Sequence, residues 1–311
     1  MDRPPNSPLV SVVIPVLNAE PYLAEAVESI LAQTHEPLEV IVVDGGSSDG
    51  TIDVLAECGR SHVRVQPVYR ERADANQAFA AGVALARGDY IARMSADDVA
   101  VPERLAVQLD WMNARSVDVC GSQVEHFGAE GRSFRFPETH DDIRRELLFS
   151  VAMLYETLLC RAPILKAYKY PTGVTSDDYE LVTNLVMTCR LGNVPRELLR
   201  YRRHARQTSV TKADRVSKDF SRYRFRLLNA LFPGTPLHDQ VAFARLANRQ
   251  ALRTAGELHA AGRFMAILAR ADHAWLSAMM IERWKKACER SSDLGQVAQE
   301  IRREYLAKME S

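Results

Sequence analysis

Three short runs rich in β-branched residues punctuate the first hundred positions: LVSVVIPV at 9–16, LEVIVVD at 38–44 and DYIARM at 89–94. The first two are strand-length and lack polar alternation, so they read as strands buried on both faces. Stretches of helical period lie between the runs. Leu23, Val27, Ile30 and Leu31 recur at helix spacing over 20–33, with Asn18 as a candidate cap. A second helix opens at Thr51 and closes at Gly59, and alanine-rich 75–87 stops at Gly88. Residues 63–66 supply a further short strand, and Pro15 is expected to end the pairing of the first. Strand alternating with helix predicts an α/β fold: a mostly parallel sheet with helices on both faces.

Beyond Pro102 a helix runs to about residue 114, and the pattern then loosens. Residues 117–127 and 133–136 read as a hairpin, 140–149 and 176–190 as helices, and 156–161 and 194–203 as strands. After Gln207 strand signal fades, and three or four helices follow, broken at Pro233, Gly234 and Pro236. Two domains are expected, 1–210 carrying the sheet and 211–311 helical. A chain of 311 residues buries enough surface to fold without staples. Its five cysteines show no C-x-x-C spacing and read as reduced, buried thiols. The opening MDRPPNSP leads into an apolar run too short for a signal peptide or a membrane span, so a cytoplasmic protein is expected.

The formal net charge of zero hides a division. Residues 1–195 hold 17 Lys and Arg against 28 Asp and Glu, and 196–311 hold 23 against 12. Within the basic half, 196–226 carries eleven basic and three acidic residues interleaved with aromatic and Leu side chains. Such a stretch reads as a solvated helix face or as a surface resting on anionic lipid at the inner membrane. Nucleic acid would call for basic residues across the cleft, whose expected lining is acidic, and is not expected as a partner.

In an open parallel sheet, ligands sit beyond the carboxyl ends of the strands. The first strand ends at Pro15, Val16 and Asn18, the second at Asp44, Gly45, Gly46 and Ser47, and the fourth at Ser95, Ala96, Asp97 and Asp98. The glycines let backbone approach a ligand, and the carboxylates can bond sugar hydroxyls or hold a hard cation. Diphosphates and carboxylates repel, so a nucleotide here calls for a bridging divalent ion, Mn²⁺ or Mg²⁺. No G-x-G-x-x-G follows the first strand and no P-loop occurs, which sets aside dinucleotide and P-loop readings. Each segment also has a plain reading: DGGSSDGT as a polar turn, and Asp98 or Asp177 as helix-start acids.

Four segments in order resemble the inverting glycosyltransferases of family 2, which have the GT-A fold. They are SVVIPVLNAEPYLAEAVESILAQTHEPLEVIVVDGGSSDGT, LARGDYIARMSADDVAVPERL, SDDYELVTNLV and LLRYRRHARQTS, spanning about 9–209. The resemblance implies a Rossmann-like, mixed and mostly parallel sheet, with a nucleotide-sugar donor, UDP-linked by default, and a glycan or lipid-linked acceptor. Bacterial cell-surface or exopolysaccharide synthesis is the family's common setting. By the same match Pro15, Val16 and Asn18 wall the base and ribose, Asp44 bonds one of them, and Gly45, Gly46 and Ser47 belong to the donor loop. Ala96, Asp97 and Asp98 stand in the DxD region, Asp97 meeting metal and diphosphate; His204, beside Arg202 and Arg203, reads on its own as a second metal ligand or diphosphate contact, or as a plain surface residue. Asp178 stands as the catalytic base, with Asp177 capping the helix.

The chain departs from the family pattern at three places. Ser95 holds the first DxD position, Phe79 and Ala80 replace an Arg-Asn pair, and Tyr155 replaces a His. A phosphate or base contact is then expected from Arg70, Arg72 or Arg93. A degenerate, non-catalytic assembly subunit is the alternative these changes raise. A sugar-phosphate nucleotidyltransferase would need a G-G-x-G-T-R-type loop where this chain has PVLNAE.

Overall fold

The computed structural model describes residues 7–129, 135–173, 177–204, 213–271 and 278–310. They form two compact units, Met1–Ile143 with Val151–Ala213, and Arg144–Ser150 with Asp214–Ser311.

The first unit is built on one sheet of eight strands: β1 (Val10–Val16), β2 (Leu38–Asp44), β3 (Val65–Tyr69), β4 (Tyr90–Arg93), β5 (Val99–Ala100), β6 (Val119–Gly128), β7 (Leu159–Arg161) and β8 (Leu191–Arg203). Their order is β3-β2-β1-β4-β7-β6-β8-β5. The first four neighbours run parallel, as do β6 and β8. β7 is antiparallel to both its neighbours, and β5 to β8. The sheet is therefore mixed and mostly parallel, as the alternation of strands and helices predicts.

Helices α1 (Leu23–Leu31), α2 (Thr51–Ser61), α3 (Ala75–Leu85) and α4 (Arg104–Arg115) link the early strands. Val10, Val12, Ile14 and Val16 pack with residues of α1, α2 and α4 in one core. On the opposite face α3 lies so close that a Cβ on Gly82 would stand 2.3 Å from Val13. Alternate β1 residues thus feed two helical layers. Shorter helices follow: α5 (His140–Glu146), α6 (Ala162–Ala167) and α7 (Asp177–Leu185).

Several local expectations are corrected. Pro15 remains in β1, in register with Val43. Val13 O accepts from Met94 N–H and Val16 O from Gly45 N–H, so odd residues of β1 turn toward β4 and even ones toward β2. The β1–β4 ladder ends at Val13, so the N–H that Pro15 lacks falls beyond the last β4 pair. Asn18 does not cap α1, which begins at Leu23 without a side-chain cap. α2 runs through Gly59, where an added Cβ would stand 2.4 Å from the Pro67 ring. Val63 is fully exposed and the third strand begins at Val65. No second hairpin strand forms at 135–136, the rest of that expectation lying outside the described residues; instead the Gln123 side-chain amide bonds Phe136 N and O at 2.9 and 2.8 Å.

Among the described residues the second unit contains α8 (Ala213–Leu231), α9 (Leu237–Ala247), α10 (Ala255–Ala271), α11 (Ala278–Arg290) and α12 (Gly295–Glu310), five helices where three or four are expected. Residues 144–150 join it because Phe149 packs edge-on to Phe243 at 5.3 Å and its carbonyl accepts from buried Arg224 at 3.2 Å. Trp284 is fully buried and donates to Arg302 O. All five cysteines are free thiols, four of them buried. Among the described residues no helix is long and apolar enough to cross a membrane.

Candidate active site

β1 lies between β2 and β4, all parallel, so the loops leaving their carboxyl ends share one edge of the sheet. Two of these loops are stitched together. Asn18 takes a left-handed backbone, φ 53°, which turns its Oδ1 to accept Ser48 N–H at 2.8 Å, while its own N–H donates to Ser47 Oγ at 2.9 Å. Ala19 N–H donates to Thr51 Oγ1, and Glu20 accepts from Gly50 N–H. Asp44, 1% exposed, accepts from Gly46 N–H at 2.9 Å, from Ser47 N–H at 3.1 Å and from Ser47 Oγ. Its carboxylate is thus an organiser of the 44–47 loop as well as a group at its edge.

The glycines of this loop have a specific task. A Cβ on Gly45 would stand 2.6 Å from Ala73 O, and one on Gly46, where φ is +98°, 2.3 Å from Glu71 O. Backbone of 70–73 crosses directly over them, held by Arg70 N–H to Asp44 O and Ala73 N–H to Gly45 O. Arg70 and Arg72, both exposed, stand on this crossing segment. Pro15 and Val16 are buried in β1, leaving Leu17, 56% exposed, and Asn18 at the mouth.

The β4 loop is held from the other side. β5 pairs antiparallel with β8, which brings Arg202 against the acidic pair. Arg202 Nε donates to Asp97 O at 2.8 Å, its N–H donates to Asp98 Oδ1 at 2.9 Å, and its guanidinium stacks over Phe127 and Tyr22. Two residues on, His204 Nε2 lies 2.9 Å from Asp97 Oδ2. Asp97 and His204 are partly open to solvent, whereas Asp98 is 1% exposed. Burial, then the charges of Asp97 and Glu156, holds the Asp98 carboxyl well above the ordinary carboxylate range. Asp98 is therefore an inward-turned support beneath Asp97.

Arg93 does not face the opening as a phosphate ligand would. It is buried, paired to Glu156 Oε1 at 3.1 Å and stacked over the Tyr155 ring at 3.9 Å. Phe79, fully buried, meets Tyr155 and Tyr170 edge-on. The family's polar pair at 79–80 is thus replaced by an aromatic stack. Arg104, fully buried, is brought down to about 10 by desolvation and donates to Arg93 O at 2.8 Å.

Asp178 is the second residue of α7, its Oδ1 accepting Tyr179 N–H at 2.7 Å. The approach to α7 is anchored on α3: Asn76 donates to Pro171 O, and Gly173 N–H donates to Asp74 Oδ2 at 3.1 Å. The Asp177 side chain lies outside the described residues. Sequence reasoning brought together the β1, β2 and β4 loop residues and the Asp97–His204 pair. It missed Glu156, which the pairing of β7 with β4 brings in and which belongs to no motif, and it gave no role to Arg202 and Tyr22, which lie inside segments it did single out.

As a metal site the donor set is partial. Asp97 and His204 offer one carboxylate and one imidazole, which suits Mn²⁺ or Mg²⁺ completed by other oxygens. Among the described residues no three His, Cys, Asp or Glu side chains gather as a metal-binding group.

Comparison with known proteins agrees with this architecture. The family model for glycosyl transferase family 2 matches residues 11–167. An uncharacterized glycosyltransferase of Haemophilus influenzae is 30% identical over 226 residues, 66% of this chain and 68% of that protein. The chain belongs to glycosyl transferase family 2. In fold it is similar to S. aureus TarS residues 1–349 in complex with UDP-GlcNAc, with a TM-score of 0.64, 15% identity and coverage of 96% and 92% of the two chains. It is likewise similar to the Pyrobaculum calidifontis mannosyltransferase PcManGT in complex with GDP-Man and Mn²⁺, with a TM-score of 0.59, 20% identity and coverage of 99% and 87%.

Proposed function

We propose that this glycosyltransferase moves one sugar from a UDP-linked donor to a hydroxyl of a glycan or glycolipid, with inversion at the anomeric carbon, in bacterial cell-surface or exopolysaccharide synthesis. The observation that carries the reading is the shared edge of β1, β2 and β4, where the Asn18–Ser47 stitched loops stand beside the Asp97–His204 pair. The UDP-GlcNAc bound by TarS and the Mn²⁺ bound by PcManGT support a nucleotide-sugar and a divalent ion as its partners.

In this reading the base and ribose rest against the β1 end and the 44–47 loop, and Asp97 with His204 holds a Mn²⁺ or Mg²⁺ ion. That ion would neutralise charge on the departing diphosphate. Asp178 takes the proton of the acceptor hydroxyl, on the face of the sugar opposite the diphosphate. The exposed basic residues of 196–226, a stretch of which 205–212 lies outside the described residues and Arg224 is buried, rest on anionic lipid of the inner membrane.

Thermal shift with a panel of nucleotides and nucleotide-sugars, with and without Mn²⁺, is the test, since a ligand that prefers the folded state raises its stability. A Mn²⁺-dependent shift specific to uridine nucleotides, followed by transfer to give an inverted anomer, is expected. Binding without turnover over any acceptor pool would favour the non-catalytic subunit instead. No shift with any nucleotide-sugar would remove the reading.

A further inference from the structure

Glu156 is a carboxylate at the site for which neither the strand-end motifs nor the proposed chemistry has a use. It lies in the 3₁₀ turn Tyr155–Thr157 that precedes β7. Antiparallel pairing of β7 with β4 sets Leu159 against Ala92, and Arg93 N–H donates to Leu158 O at 2.9 Å. That pairing carries the turn past the carboxyl end of β4, beside Ser95. Ser95 Oγ then donates to Glu156 Oε1 at 3.2 Å, and Arg93 donates to the same oxygen at 3.1 Å.

Two donors on one oxygen leave the other, Oε2, without a protein hydrogen bond among the described residues. Oε2 is not sealed in: it keeps contact with solvent, and the side chain is 19% exposed. The Tyr155 ring under Arg93 and the hydroxyl of Ser95 fix the carboxylate in one orientation. Its charge is answered by Arg93, so the open oxygen is better suited to a neutral hydroxyl than to a cation.

We propose that Glu156 supplies the carboxylate that position 95 lacks, its Oε2 accepting a ribose hydroxyl of the nucleotide-sugar donor. The inference rests on the nucleotide-sugar reading above. The ribose is the part of the donor placed against the β1 end, and β1 is the direct neighbour of β4, with Val13 opposite Arg93. Ser95 is a positioning residue in this arrangement: its hydroxyl orients the carboxylate and touches no ligand. A carboxylate at 95 would instead have met the charge of Glu156 at hydrogen-bond range, so a hydroxyl at 95 and an acid at 156 belong together.

The test is calorimetric binding of UDP, 2′-deoxy-UDP and 3′-deoxy-UDP to the full chain and to Glu156→Gln. In the variant Arg93 and Ser95 orient the amide oxygen toward themselves, which turns the open acceptor into a donor. Loss of a charge-assisted hydrogen bond weakens UDP about tenfold to a hundredfold. Affinity for the analogue that lacks the contacted hydroxyl stays within a factor of about two, since wild type has already lost the same bond there. Equal losses for UDP and both analogues, as a structural role would give, or no loss for UDP, overturn the proposal. Should Glu156→Gln fail to fold with Arg93 unpaired, Glu156→Asp keeps the charge and withdraws the oxygen, and the same selective loss is expected. Wild-type protein that binds none of the three nucleotides overturns the underlying donor reading as well; UDP binding that survives both variants overturns this inference alone.

Discussion

His204 Nε2 lies 2.9 Å from Asp97 Oδ2, which ties the end of β8 to the loop after β4 across 107 positions of sequence. With Arg202 holding the Asp97 carbonyl from the same strand, β8 sets the position of the one acidic side chain of this loop that is both outward-facing and paired to an imidazole. If the pair binds a divalent ion, Asp97→Asn should abolish Mn²⁺-dependent UDP binding. His204→Ala should weaken it about tenfold and leave affinity in EDTA unchanged, because one of two protein ligands is lost and water fills its place. Titration calorimetry in Mn²⁺ and in EDTA decides the matter. Identical UDP affinity of the wild type in the two media would sink the metal role of both residues.

Gly46 should tolerate no side chain. Its φ of +98° is one that L residues rarely adopt, and the added Cβ would meet Glu71 O at 2.3 Å, backbone that is itself bonded over the loop. Strain of this kind costs on the order of 1–3 kcal/mol, and the clash adds to it. Gly46→Ala should lower the urea midpoint with an unchanged slope and weaken uridine nucleotides in parallel. A variant with wild-type stability would show that segment 70–73 moves aside freely.

How far the sequence carried the fold can be seen at β1. Its Val and Ile content was legible because burial on both faces demands it, yet Pro15 was misread, since whether a missing N–H matters depends on where β4 stops. Asn18 looked like a helix cap by position; its left-handed backbone sends the side chain to Ser48, thirty residues on, and only the pairing of β1 with β2 makes that reach possible. Gly45 and Gly46 read as places where backbone comes close, and the structure adds that an extra Cβ there would meet the carbonyls of Ala73 and Glu71. Asp44 and Asp97 stood out because they follow strand-like runs. Glu156 and Arg202 did not, being brought in by the pairing of β7 with β4 and of β8 with β5.

Asp178→Asn should lower kcat by about 10² to 10⁴, the usual worth of a positioned general base, with uridine nucleotide affinity nearly unchanged. The carboxylate stands in the first turn of α7, accepting Tyr179 N–H at 2.7 Å. Steady-state rates beside UDP titrations separate the possibilities. A variant that keeps most of its rate, or that loses UDP along with it, would move Asp178 out of the catalytic role.

The last expectation concerns pH and follows from Asp98. This carboxyl is 1% exposed, one oxygen accepting Arg202 N–H and the other without a partner among the described residues. Burial, reinforced by the charges of Asp97 and Glu156, raises its folded-state pKa well above the unfolded value, which is about 3.9. Below the unfolded pKa both states carry the proton and Asp98 contributes no pH dependence. As pH rises past it, the unfolded chain gives up the proton while the folded one keeps it; the folded state then binds more protons, and stability falls with pH until the folded pKa is passed. Asp98→Asn keeps the acceptor for Arg202 and cannot ionise. Urea midpoints of the first unit from about pH 4 to neutrality should therefore show the variant gaining on wild type as pH rises, with the two closest at the acidic end. A constant difference across that range would mean that Asp98 is ionised in the folded protein, its charge met by Arg93 and Arg104.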